Sequence, residues 1–249
     1  MITKHLISWL CLVAVLCFGP KLACGATLFS DDFESGTLSQ WSTPVIYGNG
    51  VVELESSITA GGSYALHLKS PTTTDAAAIK SSVIAALSGT SKYHIEFDVY
   101  FPDGALMQTW HLVSGELSAS LYGPDLVFRW GENHTASTFD YTFDYRDDSG
   151  YHQLTNSNIV TATWTKIYLD ASGDGTYDVH VGSYENYIGT FDAYSGSWTR
   201  IYFGEGSPSS YSGEMYIDNI LMTDTYIPEP ATLSIIAGGL LIVRLRRRR

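Results

Sequence analysis

Apolar and polar residues alternate along most of this 249-residue chain, which is the pattern of β-strands with one buried and one solvent-facing side. Within Tyr93–Phe101 the alternation turns Ile95, Phe97, Val99 and Phe101 inward and His94, Glu96, Asp98 and Tyr100 outward. Further strands are predicted at Val51–Glu55, Tyr64–Lys69, Met107–Val113, Leu117–Tyr122, Leu126–Trp130, Phe139–Tyr145, Trp164–Asp170, Thr176–Val181, Tyr184–Phe191, Trp198–Gly204 and Met215–Leu221. Glycine, serine, aspartate and asparagine separate these segments, as in the turns of an antiparallel sandwich.

The alanine-rich stretch Ala76–Leu87 is the one candidate for a helix, because alanine is the strongest helix former. Ser81, Ser82 and Val83 weaken a helix there. The rest of the sequence predicts a single all-β domain over residues 26–227, long enough for a substantial core.

The first 25 residues have the composition of a secretory signal peptide. One lysine lies within Met1–His5, Leu6–Phe18 is apolar, and small residues follow up to Ala26. We therefore expect residues 1–25 to be removed on export. All three cysteines lie in this segment, so the stability of the exported domain must come from its core or from bound ions.

The predicted domain is strongly acidic. Residues 26–227 contain 25 acidic and 7 basic residues, a net charge of −18, whereas the whole chain carries −12 because seven basic residues lie in its two ends. Such a surface repels phosphate backbones, so we expect no nucleic-acid partner. Calcium and neutral or cationic polymers fit this charge better.

The last 22 residues combine three features in a fixed order. Pro228, Glu229 and Pro230 precede the apolar run Ala231–Val243, and five arginines lie within Arg244–Arg249. As a helix, 13 apolar residues cover roughly 20 Å, short of a hydrocarbon core of about 30 Å. The run is therefore a poor permanent anchor. The arginines favour the cytoplasmic side, which leaves the preceding domain outside.

This ordered tail resembles the PEP-CTERM sorting signal of bacterial exopolysaccharide-associated proteins. The resemblance covers residues 228–249 and implies recognition by an exosortase-type membrane protease. It also implies a precursor that inserts transiently in the membrane, removal of the tail, and a mature protein at the cell surface or in the extracellular matrix.

Four segments of the domain resemble the laminin-G-like and concanavalin-A-like jelly rolls. Phe29–Gly36 looks like their opening strand, Gly61–Leu66 a second inner strand, Trp164–Gly182 their central hairpin and Tyr216–Ile220 their closing strand. The resemblance implies an antiparallel jelly-roll β-sandwich, flanked here by the signal peptide and a short apolar C-terminal helix. A shared fold implies shape better than activity.

The same resemblance implies a structural calcium ion, because related sandwiches commonly tie their first and last strands together in this way. Asp32 and Glu34 lie in the predicted first strand, and Asp218 interrupts an apolar last strand. A carboxylate within a strand is costly unless it is paired or coordinates an ion, and calcium takes six to eight oxygen ligands. The alternative is that these acids face water at the rim of the sheet.

A second acidic segment, Asp170–Val181, begins like an EF-hand loop with Gly175 at the sixth position. Val181 occupies the twelfth position, where that loop requires a bidentate glutamate, and predicted strands flank the segment instead of helices. A tight hairpin turn is the favoured interpretation.

Catalytic motifs of this sandwich are incomplete in the sequence. Laminarinase-like glycosidases carry Glu-x-Asp-x-x-Glu on one strand, but here Phe101 follows Glu96 and Asp98 where the second glutamate belongs. A lyase would need a histidine and tyrosine pair with a cation that neutralises a uronate carboxylate. The candidates His111, His152, Tyr145 and Arg129 share no short motif, and His67, His94 and His180 are expected to be exposed.

Binding makes fewer demands, since aromatic rings with one polar end suit sugar faces. The candidate carbohydrate-binding residues are Trp110, Arg129, Trp130, Tyr145 and Tyr151. The alternative for each ring is a place in the core. We expect a non-catalytic protein that binds extracellular polysaccharide or builds the matrix. A carbohydrate-active enzyme, either a glycoside hydrolase or a polysaccharide lyase, is the alternative on the same sandwich.

Overall fold

The computed structural model describes residues 25–84, 87–88, 91–102, 109–115, 125–130, 141–147, 150–154, 162–192, 197–205 and 213–224. These residues form β-strands and turns, with no helix among them. The strands are β1 (Thr27–Asp31), β2 (Val45–Tyr47), β3 (Val51–Glu55), β4 (Ala65–Ser70), β5 (Ala76–Lys80), β6 (Leu87–Ser88), β7 (Lys92–Tyr100), β8 (Thr109–Gly115), β9 (Asp125–Trp130), β10 (Tyr141–Asp147), β11 (Gly150–Gln153), β12 (Thr165–Ser172), β13 (Thr176–Val181), β14 (Tyr187–Asp192), β15 (Ser197–Trp198), β16 (Ile201–Glu205) and β17 (Gly213–Thr223).

Two antiparallel sheets contain nearly all of these strands. The eight-stranded sheet has the order β14-β13-β12-β7-β17-β4-β3, and β1 pairs with the second half of β17 beyond the end of β4. The seven-stranded sheet has the order β11-β10-β9-β8-β16-β5-β2. The first and last strands of the domain therefore lie side by side at the centre of one sheet.

The core lies between the two sheets and confirms the predicted all-β jelly-roll sandwich. Phe97 of the eight-stranded sheet meets Phe203 of the seven-stranded sheet edge to face, with ring centroids 5.4 Å apart. Trp41 packs against Phe203 and stacks on Phe33. Because large aromatic rings bury much apolar surface, these cross-sheet contacts account for much of the hydrophobic stabilisation.

The alanine-rich candidate helix is a strand, which corrects the sequence-based prediction. Ala76, Ala77 and Ala78 are fully buried in β5, between β16 and β2. Gly204 of β16 lies so close to this strand that a Cβ added to it would clash with the Ala77 carbonyl oxygen. Close packing in the sheet has therefore overridden the intrinsic helix propensity of alanine.

The segment Asp170–Val181 forms a tight hairpin between β12 and β13, as the favoured interpretation predicts. Gly173 and Gly175 take positive φ angles of 84° and 98° in the turn. Asp174 accepts hydrogen bonds from the Thr176 amide and hydroxyl. The carboxylate thus organises the turn, while Asp170 lies in β12.

Two predicted segments lie outside the described residues. They are the signal peptide, of which only residue 25 is described, and the sorting tail, residues 228–249. The tail includes the motif Pro228-Glu229-Pro230. Within the described part of the chain, no helix is long and apolar enough to cross a membrane.

We predict that Gly204→Ala is far more destabilising than Gly175→Ala. Both glycines have positive φ, 91° and 98°, but a Cβ at Gly175 would meet no atom within 4 Å. The control therefore measures backbone strain alone, about 1–2 kcal/mol, whereas Gly204→Ala adds a clash with β5 that costs a further 1–3 kcal/mol or so. Urea unfolding of both variants measures the difference, and equal losses of stability would contradict the close packing of β5 against β16.

Candidate functional site

The outer face of the eight-stranded sheet carries a continuous set of histidine, tyrosine and carboxylate side chains. In β7 the apolar residues from Tyr93 to Val99 are buried in the core. The intervening side chains lie on the opposite face, as the alternation predicts, and are themselves buried or half-buried. Neighbours on β12 and β17, which flank β7, cover them. These outward-facing β7 residues are His94, Glu96, Asp98 and Tyr100.

The first group on this face centres on His94, whose side chain is 1% exposed. Its Nδ1 lies 2.7 Å from Asp170 Oδ1 and its Nε2 lies 3.4 Å from Glu96 Oε2. The Tyr184 hydroxyl donates to the other Asp170 oxygen at 2.6 Å, and the His180 ring stacks on Tyr184 with centroids 4.4 Å apart. We call these five residues the His94 cluster.

Charge pairing holds His94 in its protonated form. Burial alone would lower the pKa of its imidazole, but hydrogen bonds and charge interactions with Asp170 and Glu96 outweigh it and raise the pKa to about 9. The hydrogen bond from His94, together with the charge of Lys166, lowers the pKa of Glu96. The cluster therefore holds an imidazolium and an ionised carboxylate at neutral pH.

Tyr168 of β12 lies in the middle of the His94 cluster. Its register partners are Glu96 on β7 and His180 on β13. Burial, followed by the charge of Glu96, raises the pKa of its phenol, so the hydroxyl keeps its proton at neutral pH. Lys166, two residues earlier on the same strand, lies 3.2 Å from Asp98 Oδ2. A proton donor and a cation are thus fixed side by side on a rigid strand.

A β-bulge in β17 completes the centre of the face. The pairing with β7 shifts between Asp218 and Leu221, and Asn219 takes a positive φ of 50°, a conformation that asparagine tolerates better than most residues. Its side-chain amide donates to Asp98 Oδ2 at 2.9 Å. Bulges often redirect a side chain at functional sites, and here the bulge directs Asn219 to Asp98.

The second group, the His67 cluster, lies on β3, β4 and β17. His67 Nε2 lies 2.9 Å from Glu214 Oε1, and His67 Nδ1 lies 3.3 Å from Glu53 Oε1. Lys69 Nζ donates to the second Glu214 oxygen at 2.8 Å. The Tyr216 ring stacks on His67 at 4.4 Å, and its hydroxyl donates to Glu214 at 3.1 Å. His67 is therefore held in place on both of its edges and on one face.

An aromatic row extends from the His67 cluster across β17 and β7 to Trp164. Trp164, Tyr100, Tyr216 and His67 follow one another across the sheet, with successive ring centroids 5.5, 5.8 and 4.4 Å apart. Rings with polar edges can stack on the faces of sugars while their hydroxyls form hydrogen bonds. The face therefore offers an extended aromatic surface beside the His67 cluster.

The predicted carbohydrate-binding residues lie on the other sheet. Trp110 is in β8, Arg129 and Trp130 are in β9 and Tyr151 is in β11, and the side chains of these four lie outside the described residues. Tyr145 in β10 is half-buried and stacks on Phe191 of the eight-stranded sheet, with centroids 5.0 Å apart. The Tyr145 ring therefore packs inside the sandwich. Its cross-strand partner His152 stacks on it at 4.9 Å.

The three predicted calcium ligands are engaged separately. Asp218 is fully buried and accepts from the backbone amides of Ala60, Gly61 and Asn219, and burial raises its pKa. Glu34 accepts from the amides of Ser63 and Tyr64, and Asp32 is exposed and accepts from the Glu34 amide. Within the described part of the chain the three carboxylates do not converge as a ligand set. Calcium binding stays a prediction.

The expectation that His67, His94 and His180 are exposed is wrong. They are 7%, 1% and 7% exposed, and each lies near a carboxylate. Alternation correctly predicts the outward side of each strand, but the partners lie on strands that are distant in sequence. The available signal was the run His94-x-Glu96-x-Asp98, which puts a histidine and two acids on one strand face.

No protein-family model matches the sequence, and no curated protein matches it. Several solved structures are similar to this chain. The endo-β-1,4-glucuronan lyase of the fungus Trichoderma reesei aligns with a TM-score of 0.56 at 10% identity, over 80% of this chain and 96% of the lyase. The cellulose-induced protein Cip1 aligns with a TM-score of 0.57 at 16% identity, over 79% of this chain and 97% of its own.

Domain 4 of AbnA, an extracellular GH43 arabinanase of Geobacillus stearothermophilus solved with arabinotriose, aligns with a TM-score of 0.52 at 14% identity. The alignment covers 82% of this chain and 95% of that domain. At these identities the likeness shows the fold alone. The structures that share this fold include a polysaccharide lyase and a domain of an arabinanase.

These neighbours contradict the expectation that the chain is not an enzyme. That expectation rested on an incomplete glycosidase motif and on histidines thought to be exposed. A glucuronan lyase and a domain of an arabinanase share the fold, so a missing glycosidase motif does not exclude catalysis on this sandwich. The second reason also fails, because these histidines are buried and each lies near a carboxylate.

We predict that the stability of the protein falls as pH rises from 6.5 towards 9, and that His94 causes this loss. Its pKa is raised on folding from 6.5 to about 9, so its stabilising contribution is complete below 6.5 and is lost through the folded-state pKa. Thermal unfolding at several pH values measures the effect. A His94→Gln variant should show a flatter profile over this range, and an unchanged profile would contradict the assignment.

Proposed function

We propose that this chain is an exported carbohydrate-active enzyme, a polysaccharide lyase that works on the outer face of the eight-stranded sheet. Lyases cleave uronate-containing chains by β-elimination, which needs a base, an acid and a cation close to the uronate carboxylate. The observation that carries the proposal is the position of Tyr168, in register between His180 and Glu96 and two residues from Lys166.

Each role follows from the surroundings of the residue. His180 Nδ1 has no hydrogen-bond partner among the described residues, and Asp170 faces its Nε2 at 3.9 Å. His180 is therefore the proposed base for the proton on the carbon next to the carboxylate, and the side chains around its buried Nδ1 must move aside for the substrate to reach it. Tyr168 keeps its proton and suits the acid. Lys166, which is partly exposed beside Asp98, supplies positive charge for the substrate carboxylate.

The proposed step is balanced within these groups. The carbon-bound proton passes to His180, its electron pair forms the new carbon–carbon double bond, and the bond to the glycosidic oxygen breaks. Tyr168 donates its proton to that leaving oxygen and is reprotonated from solvent, while His180 releases the proton it took to solvent. The product carries an unsaturated uronate at its new non-reducing end.

A two-carboxylate hydrolase fits the same face less well. Glycosidases need one carboxylic acid with a raised pKa beside an ionised carboxylate. The pKa of Glu96 is lowered by His94, and that of Glu214 is lowered by its hydrogen bonds to Lys69 and His67 despite partial burial. Asp218 has a raised pKa, but its side chain is fully buried and bound to backbone amides.

The two ends of the chain support export and sorting as part of the same proposal. Residues 1–25 act as the signal peptide, and the tail from Pro228 to Arg249 is the substrate of an exosortase-type protease. The enzyme then acts on extracellular polysaccharide at the cell surface or in the matrix. The net charge of −18 over residues 26–227 repels polyuronates at low salt, so assays need enough salt to shorten the Debye length to about 8–10 Å.

The lyase proposal predicts that the protein forms unsaturated product from a polyuronate such as glucuronan, and that Tyr168→Phe lowers the rate about 10²–10⁴-fold. The change removes one hydroxyl and keeps the ring. Ultraviolet absorbance of the unsaturated uronate measures the rate. Tyr47→Phe, at an exposed tyrosine on the seven-stranded sheet, is the matched control and should keep full activity.

Unfolding temperatures of both variants should match that of the native protein, because no hydrogen bond of the Tyr168 hydroxyl is among the described contacts. Absence of unsaturated product from glucuronan, alginate and pectate would contradict the proposal. Full activity of Tyr168→Phe would contradict the role given to Tyr168.

The sorting proposal predicts that the surface form of the protein lacks Arg249 and the apolar run Ala231–Val243. Mass spectrometry of surface material should recover peptides up to the region of Pro228 but none from the arginine-rich end. The same strain without its exosortase is the control and should retain the full tail. Recovery of the intact arginine-rich peptide from the surface of the native strain would contradict removal of the tail.

A further inference from the structure

Three potential metal ligands converge at one edge of the outer face. Glu53 and Glu55 lie two residues apart on β3, and His67 lies opposite Glu53 on β4. One carboxylate oxygen from each glutamate and one His67 ring nitrogen all lie within 4.8 Å of one another. The ligands therefore come from two paired strands, which hold side chains more rigidly than loops do.

Each ligand has an atom available for a metal ion. Glu53 is largely exposed, and its Oε1 lies 3.3 Å from His67 Nδ1. Glu55 Oε1 accepts from the backbone amides of Ser56 and Ser57, which fixes the carboxylate and leaves its second oxygen. Zinc binds nitrogen and carboxylate ligands at about 2.0–2.2 Å, so small side-chain movements bring the three groups to these distances.

The surroundings of His67 match those of a metal-bound histidine. Such a histidine binds the ion through one ring nitrogen and donates its other N–H to a carboxylate, which fixes the ring and its tautomer. Here His67 Nε2 lies 2.9 Å from Glu214, which Lys69 and Tyr216 hold by hydrogen bonds. The parallel Tyr216 ring fixes the plane of the imidazole.

We infer that Glu53, Glu55 and His67 form a binding site for a divalent transition metal ion. Zinc is the ion used to test it. The imidazole nitrogen selects against calcium, which takes oxygen ligands. On binding, the metal ion takes the place beside His67 Nδ1, while His67 Nε2 stays on Glu214. Three protein ligands leave a coordination position for water. The site is separate from the residues proposed for β-elimination, so the inference does not rest on that reaction.

The test is zinc titration of the purified protein, without a polyhistidine tag and after removal of metals with a chelator. Isothermal titration should give one zinc ion per chain. Thermal unfolding should give a higher unfolding temperature in zinc than in chelator. Glu53→Gln should weaken binding at least tenfold, and its exposed position leaves folding intact. Glu214→Gln keeps all three ligands and should weaken binding by about 10–100-fold through loss of the support for His67.

Glu185→Gln, at an exposed acid in the turn before β14, is the matched control and should bind zinc as the native protein does. Zinc binding that survives Glu53→Gln unchanged would overturn the inference, as would a native protein that binds no zinc. A stabilisation by calcium that Glu53→Gln abolishes would overturn the assignment to a transition metal. These outcomes are independent of any lyase assay, so the two proposals fail separately.

Discussion

The antiparallel pairing of β17 holds the rest of the structure together. This strand of 11 residues pairs along one side with β7, and along the other with β4 and then β1. A buried strand must satisfy its backbone hydrogen-bonding groups on both sides, so the N-terminal strand is needed where β4 ends. The same strand contributes Glu214 and Tyr216 to the His67 cluster and directs Asn219 to the centre of the face through its bulge.

The outer face shows how charge compensation shapes a site on such a strand. The buried imidazolium of His94 is costly unless carboxylates pair with it, and Asp170 and Glu96 do so. His67 likewise lies between two carboxylates, Glu53 and Glu214. Removing one partner would leave an unpaired buried charge. The pairing therefore fixes side-chain positions across β7, β12 and β13 on one side and β3, β4 and β17 on the other, which is the preorganisation that catalysis and metal binding both need.

Periodicity predicts most of the fold, since β3 and β13 have the predicted bounds and the β7 alternation is correct. It fails at Ala76–Lys80, where the close approach of Gly204 decides the structure. Periodicity also fails to predict the His94 and His67 clusters, because the pairing register between distant strands is not encoded within any one strand. Asp170 is 76 residues from His94 and Glu214 is 147 residues from His67. No pattern within one strand shows that a distant carboxylate covers an outward histidine.

The absence of cysteine from residues 26–227 gives the metal inference a physical context. A domain without disulfides depends on its core or on ions for stability. β3 is an edge strand of the eight-stranded sheet and pairs with one strand, β4. A metal ion held by Glu53 and Glu55 of β3 and His67 of β4 would cross-link this edge strand to its one neighbour. It would also neutralise two carboxylates of a strongly acidic surface, so the gain in stability would exceed that from closing the strand pair alone.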